Sequence, residues 1–442
     1  CFDSKDELEA ELHRLEEQAK RDHRKLGKEL GLFTLVEEVG AGLPLWLPNG
    51  SVIRDELEQL ARIEERKAGY QRVHTPHITK GDLYHRSGHL PYYAEDMYAP
   101  IMIDEQEYYL RPMNCPHHHM LYRHDQWSYR DLPVRLSEYG QVYRYEASGG
   151  LSGLMRVRGF CQNDAHIYCR EDQAKDEFLE VMHMHAKYYR MFGIEDFWMR
   201  LSLPDFENLE KYVDDVEGWK KALGILKQAM DESGYPYREV EGEAAFYGPK
   251  VDFMIRSVVG TEYAISTNQL DFMATKRFDL VYTDADGEKK PVYVIHRAPL
   301  GRHERFVAFL IEHYAGKFPT WLAPVQAIVI PIADRHEDYA AGVRKRLFDA
   351  DVPTVNGGVR VEADYAAERM QKKIRNAQTR RIPYMLVVGD QEAENDAVAV
   401  RHRDHGDLGS VSVDALIAHI RNEVEARADK PLAGETRDAA AE

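Results

Sequence analysis

Cysteine is scarce, with four in 442 residues at Cys1, Cys115, Cys161 and Cys169. That number and spacing suggest no disulfide framework and fit a reducing compartment, so a cytoplasmic location is expected. Long apolar runs are also missing. None approaches the roughly 20 apolar residues that a membrane helix needs, so no membrane association is expected. No secretory leader is expected either, because residues 4–30 are dense in Glu, Lys and Arg. The chain opens on Cys1 rather than methionine, as a piece with something upstream would. Positive charge is in deficit, with a net charge of −17. This argues against indiscriminate coating of nucleic acid but leaves RNA binding open, since one basic face is enough on an acidic protein.

The length suffices for two or three domains with separate cores. Residues 4–30 read as one charged helix, a linker or arm, with Leu8, Leu12, Leu15 and Leu26 at helical spacing. After Pro48-Asn49-Gly50, residues 51–69 carry Ile53, Leu57, Leu60, Ala61 and Ile63 on one helical face. Gly69 is placed to cap that helix. Residues 70–78 alternate like a strand containing Pro76, which suits an edge or an interface. Between 107 and 168 the pattern is short strands and loops. Residues 136–146 and 156–166 flank a glycine-rich turn at 148–153 and predict an antiparallel hairpin. Amphipathic helices are expected at 171–192 and 209–233, further strands between 253 and 295, and a helix at 300–314. Beyond Trp321 strands alternate with helices: 327–332, 337–350, 359–363, 366–378, 384–388, 398–401 and 413–426. The fold class expected is α+β: an antiparallel-sheet domain over residues 31–318, followed by a C-terminal α/β domain over residues 319–428. The polar tail, 429–442, is expected to be disordered.

Three short motifs carry chemistry. In Tyr143-Arg144-Tyr145-Glu146 an arginine and a glutamate two residues apart share one face of a strand. Gly301-Arg302-His303-Glu304-Arg305-Phe306 opens a helix, and Pro76 follows the long helix. In this order and at these distances they resemble the signature motifs of class II aminoacyl-tRNA synthetases. Such a site must bring an amino-acid carboxylate onto the α-phosphorus of ATP and spread the charge that develops, which guanidinium forks do well. The resemblance implies that Arg144 contacts the α-phosphate, Glu146 receives the adenine amino group and Arg156 meets the γ-phosphate of a bent ATP. Phe160 and Arg305 would sandwich adenine, Gln269 would join the ATP contacts, and Mg²⁺ would accompany the phosphates. Arg144, Arg305 and Lys250 are the catalytic candidates.

The strings Met113-Asn114-Cys115-Pro116, Tyr129-Arg130-Asp131-Leu132-Pro133, 153–160 (Gly-Leu-Met-Arg-Val-Arg-Gly-Phe), Phe246-Tyr247-Gly248-Pro249-Lys250 and Gln269-Leu270-Asp271-Phe272 resemble blocks of the threonyl-tRNA synthetase family. The resemblance covers nearly the whole chain. It implies threonine, ATP and tRNA(Thr) as partners, a homodimer joined through residues 51–78, and one Zn²⁺ held by Cys115, His166 and His296. A thiolate and two imidazoles leave the open position that a substrate-binding zinc needs. Met113, Gln162, Asp164, Tyr247 and Lys250 would line the amino-acid pocket. Zinc that takes the amino nitrogen and hydroxyl of threonine would reject valine, whereas serine lacks only a methyl, worth about 1–3 kcal/mol. His117-His118-His119 reads as a surface or outer-shell run, since three consecutive histidines cannot all reach one metal. Departures from the family pattern are His117, Asn163, Ala264, Arg302-His303, Ala367 and an insertion at 352–358.

The C-terminal domain resembles the anticodon-binding domain of the threonyl, prolyl, histidyl and glycyl enzymes. Lys372, Lys373 and Arg375, with Glu392 and Arg401, are the tRNA-contact candidates. Nothing before Phe33 could house the editing module of longer relatives, so threonine charging without correction of serine in cis is expected. Other readings are a prolyl- or seryl-type enzyme, an RNA-binding paralogue that does not charge tRNA, and a metallohydrolase around His117–His119. The cysteine and histidine trio and the intact arginines weigh against them.

Overall fold

A computed structural model of the chain describes residues 4–205, 212–257 and 260–429. They fall into two compact units, Leu35–Pro44 with Leu60–Phe309, and Cys1–Thr34 with Leu45–Gln59 and Leu310–Glu442.

The first unit is built on an eight-stranded sheet. Its strands are β1 (Gln71–Arg72), β2 (Val134–Tyr143), β3 (Gly159–Cys169), β4 (Phe197–Leu203), β5 (Tyr237–Glu241), β6 (Lys250–Arg256), β7 (Glu262–Asp271) and β8 (Tyr293–Ala298). The spatial order is β5-β4-β6-β7-β8-β3-β2-β1. Only the outer pairs β5/β4 and β1/β2 are parallel. Strands β2 and β3 pair in register from Val134↔Tyr168 to Tyr143↔Gly159, the hairpin expected around the glycine-rich turn.

Strand β3 is almost wholly buried although it reads Gly-Phe-Cys-Gln-Asn-Asp-Ala-His-Ile-Tyr-Cys. Polar side chains persist in such a strand only where they meet other polar groups. Period-2 alternation puts Gln162, Asp164 and His166 on one face. On the opposite side of the sheet the helix Glu171–Met191 buries Phe178, Met182 and Tyr189. His185 of that helix hydrogen-bonds Ser266 of β7 at 2.8 Å.

Several segments differ from the sequence reading. Residues 4–30 form two helices, Lys5–Arg21 and His23–Glu29, because Asp22 caps the second by accepting from the Arg24 N–H at 2.8 Å. Leu8, Leu12 and Leu15 are exposed. The long helix runs Pro48–Lys67, with Gly69 at φ +79° beyond its end. The strand expected at 70–78 splits into Gln71–Arg72 and the start of another strand, Ile78–Lys80, on either side of Pro76, which has no N–H to give a ladder. Within 107–168 a helix, Cys115–His124, replaces an expected strand-and-loop stretch. The helix expected from residue 209 is described from Val216, where Asp215 caps it. The beginning of that prediction, 209–211, and the predicted tail from 430 lie outside the described residues.

The second unit holds a five-stranded sheet of β9 (Ala327–Pro331), β10 (Val361–Ala363), β11 (Tyr384–Val388), β12 (Ala397–His402) and β13 (Gly406–Ser412), ordered β10-β9-β11-β12-β13. The first three are mutually parallel, and β12 and β13 add antiparallel. Ile328, Ile330, Ala377, Ile382, Met385 and Val387 form its core. This is the α/β pattern read from the alternation of apolar strands and helices.

Candidate active site

Register fixes the site before any side-chain detail. Lys250 of β6 lies opposite Gln269 of β7, Gln269 opposite His296 of β8, and His296 opposite His166 of β3. Directly opposed residues share a face, so four candidates from distant sequence stand in one row across the sheet. Met113, Cys115, Arg144, Gln162, Asp164, Tyr247, Lys250, Gln269, His296 and Arg305 line one cavity of about 320 Å³. His166 joins through the trio, and Phe160, Glu146 and Arg156 through contacts described below.

At one end the ligand atoms of Cys115, His166 and His296 all lie within 4.8 Å of one another, and the three residues are buried. Cys115 is the first residue of the helix Cys115–His124, where the N-terminal dipole favours a thiolate. Burial pushes its thiol pKa up, and His296 works against that. Burial alone would lower His296, but the Cys115 thiol and the Asp271 carboxylate reverse this and push it up to about 10. His166 is held well below its ordinary value by burial and by the neighbouring His296 and His118.

Each imidazole is braced on one nitrogen and turns the other toward the trio, that of His296 hydrogen-bonding Cys115. His166 Nδ1 lies 2.8 Å from His118 Nδ1, while its Nε2 is buried with no hydrogen-bond partner. His296 Nε2 lies 3.1 Å from Asp271 Oδ2, which leaves Nδ1 for a metal. An orphaned ring nitrogen, a thiol and a second braced imidazole fit zinc, with outer partners that set ring orientation. A second group, His119, Asp271 and His296, also lies close enough for a metal. It fits less well: Asp271 Oδ1 already accepts from the Met273 and Ala274 N–H groups at 2.7 and 2.8 Å, and His119 Nδ1 meets Tyr168 Oη at 3.0 Å.

The His117–His119 run is therefore no surface feature. All three are buried on the helix Cys115–His124. His118 links the trio to Glu138, whose Oε2 is 3.2 Å from His118 Nε2. Glu138 is gripped by Arg111 at 3.3 Å and by the Thr75 N–H and hydroxyl at 3.0 and 2.7 Å. Sequence reading gave Glu138 and Arg111 no role. A buried Glu within a strand is the signal that would have marked the first.

Around the row, Asn114 donates to Asp164 Oδ2 at 3.2 Å. Its amide packs against Gly140, where a Cβ would stand 2.2 Å from Asn114 Oδ1, so only glycine admits the helix start this close. Tyr247 hydrogen-bonds Gln269 and stacks on His296 at 5.2 Å between centroids. Lys250 Nζ lies 3.2 Å from Asp252, which Arg200 also holds at 2.7 Å. Arg200, Asp252 and Ala264 line the cavity as well. The first two were not anticipated.

The other end is a cluster of guanidiniums. Arg144 donates to Pro112 O at 3.1 Å and lies 5.3 Å from the Phe160 ring centroid. Arg305 donates to Met155 O at 3.1 Å. Arg156 pairs with Glu146 at 2.7 Å. Burial, then the neighbouring Arg144 and Arg156, lower the Arg305 pKa. Cations concentrated on one carboxylate make a place for a polyanion.

The tRNA-contact candidates lie in the second unit. Lys372 and Arg375 are exposed on the helix Met370–Thr379, Lys372 pairing with Glu368 at 2.5 Å. Arg401 reaches Asp407 at 3.6 Å, and Glu392 accepts from the Gly389 N–H at 3.0 Å. Lys373 departs from the set. It is buried and donates to Asp364 O at 2.9 Å, so its charge closes the loop before the helix instead of facing out.

Comparison with known proteins agrees with this layout. Residues 98–314 match the tRNA synthetase class II core domain (G, H, P, S and T), and residues 326–423 match the anticodon binding domain. The threonine–tRNA ligase of Chlorobaculum tepidum is 49% identical over 431 residues, 96% of this chain and 64% of that protein. That of Deinococcus radiodurans is 51% identical over 403 residues, 91% of this chain and 61% of the relative. The chain thus spans less than two thirds of the length of these relatives. A crystal structure of the RNA binding domain of threonyl-tRNA synthetase from Cryptosporidium parvum Iowa II aligns with a TM-score of 0.85 at 37% identity, covering 91% of this chain and 98% of that one. A chain with this sheet, this cavity and these relatives belongs to the threonyl-tRNA synthetase family of class II synthetases.

Proposed function

We propose that this chain is a threonine–tRNA ligase, which activates threonine with ATP to threonyl-adenylate and transfers it to the 3′ end of tRNA(Thr). The observation that carries the reading is one cavity with a cysteine and two histidines at one end and a guanidinium cluster at the other. An amino acid held at the first and ATP at the second would meet over the row from His166 to Lys250. Arg144 would hold the α-phosphate, Arg156 the γ-phosphate, and Arg305 with Phe160 the base, while Glu146 would receive the adenine amino group. Those phosphates carry Mg²⁺ with them. Zinc, when bound, would supply coordination for the amino nitrogen and hydroxyl of threonine, and so a demand for oxygen that valine cannot meet. Asp164, held by Asn114, and Tyr247, held on Gln269, would orient the substrate's polar groups. Gln162, Met113 and Lys250 would complete the wall.

Threonine-dependent exchange of pyrophosphate into ATP tests this. Exchange with threonine and not valine, lost in Cys115→Ala or on removal of zinc by a chelator, is the expected result. No exchange with any amino acid would favour a nucleotide- or RNA-binding paralogue.

The second unit is proposed to bind the anticodon, Lys372 and Arg375 through its phosphates and Glu392 and Arg401 through its bases. A homodimer is proposed through residues 51–78, supported by exposed Ile78, Ile101, Met102 and Ile103 on the two outer strands of a small three-stranded sheet. Sedimentation at a single-chain mass would contradict it. Serine differs by one methyl, so it is expected to support pyrophosphate exchange less well than threonine, by the roughly 1–3 kcal/mol of a methyl. Exchange with serine equal to that with threonine would refute that.

A further inference from the structure

The third motif carries an arginine, Arg302, to which the family resemblance assigns no part. It follows Gly301, whose φ is +54° and whose Cβ, were there one, would stand 2.1 Å from Ile265 O. That tight crossing from β8 into the helix His303–His313 aims Arg302 at the cavity. Its guanidinium carbon sits 4.4 Å from the Phe160 ring centroid, closer than that of Arg144 at 5.3 Å. Its Nη1 lies 3.7 Å from Glu146 Oε1, and that nitrogen is buried with no hydrogen-bond partner.

Phe160 and Glu146 are the two groups that adenine needs in the function proposed above, one for its face and one for its amino group. A guanidinium is planar, stacks on aromatic faces and carries N–H groups in its plane, so it imitates both features of the base. The imitation is imperfect. At 3.7 Å the approach to Glu146 is an ion pair and no hydrogen bond. Burial, then the like charges of Arg144 and Arg305, pull the Arg302 pKa down to about 9. Repulsion from these two neighbouring cations weakens the hold of Arg302 on the one carboxylate.

We propose that Arg302 is a built-in competitor of the nucleobase: it occupies the adenine slot between Phe160 and Glu146 in the nucleotide-free chain, and ATP must displace it to bind. This inference rests on the nucleotide reading of the site. A ligand that binds only the opened form shows its intrinsic affinity divided by the fraction open. Covering a desolvated ring with a guanidinium favours the closed form by an amount that corresponds to a population ratio on the order of ten.

Calorimetric titration of ATP, adenosine and GTP into the full chain, Arg302→Ser and Arg302→Thr tests it, with thermal unfolding to show that each variant is folded. Both variants are expected to bind ATP and adenosine on the order of ten-fold tighter than the wild type. Two small replacements guard against one that fails to fold. Unchanged or weaker adenosine binding overturns the proposal. Weaker ATP binding with adenosine unchanged would make Arg302 a phosphate ligand, which also overturns it. Binding of ATP but not GTP by the wild type supports the underlying site independently of Arg302. If wild type and variants bind neither ATP nor adenosine, the nucleotide site itself fails, and this inference with it.

Discussion

Replacing Glu138 by glutamine keeps the shape of a buried side chain and removes its charge. In the wild type, burial alone would raise the Glu138 pKa. His118, Arg111 and Thr75 more than reverse this and lower it from its ordinary 4.5 to about 2. A depressed carboxylate pKa stabilises the fold at pH values above the unfolded-state pKa, and that stability is lost as pH falls through the folded-state value. A shift of this size corresponds to about 3 kcal/mol. Breaking a buried pair from one side gives a similar figure, about 3–5 kcal/mol, because Arg111 is only 1% exposed and loses its counter-charge. Arg111 keeps its bond to Gln141 O at 2.6 Å, which argues for the lower end. Urea unfolding of wild type and Glu138→Gln, both stripped with chelator so that metal linkage does not enter, should differ by about 3 kcal/mol at pH 7. The gap should narrow by about 1 kcal/mol at pH 4 and by about 2 at pH 3, as the carboxylate protonates in the unfolded wild-type chain while it stays ionised in the folded one. In parallel, zinc affinity should fall about 10- to 100-fold, because Glu138 fixes His118 and His118 fixes His166. A gap below about 1 kcal/mol at pH 7, or one that does not change with pH, would refute the reasoning.

Glu65→Ala should destabilise the first unit by about 3–5 kcal/mol, read as a lower urea midpoint. It removes the partner of fully buried Arg297 at 2.9 Å and of Asn163 at 2.8 Å. Gly140→Ala drives a methyl into Asn114 and should cost about 1–3 kcal/mol while raising the threonine KM in pyrophosphate exchange, since Asn114 holds Asp164. Arg375→Ala should weaken tRNA binding and flatten its salt dependence by about one ion, with no change in unfolding. Lys373→Ala should do the reverse, lowering the melting temperature of the second unit because a buried amine and its bond to Asp364 O are lost.

Much of the site was legible because its motifs are local. Tyr143-Arg144-Tyr145-Glu146 shows its chemistry within four residues, although the strand read through it ends at Tyr143 and leaves Arg144 and Glu146 in the loop beyond. The hairpin of β2 and β3 followed from two alternating runs about a glycine-rich turn. The dispersed trio was different. Cys115, His166 and His296 became a set through family resemblance, and spacing alone would not have joined them. Asn163, a departure from the family pattern, turned out to point away from the cavity toward Glu65.

The sequence by itself determined the family, the α+β fold class and the residue types at each end of the cavity, because charge, periodicity and turn propensity are properties of short segments. Only the tertiary structure decided that His118 and Glu138 brace the trio, that Lys373 is structural and that Arg302 covers Phe160. Each of these depends on strand register and on which side of a helix faces inward, and long-range packing sets both.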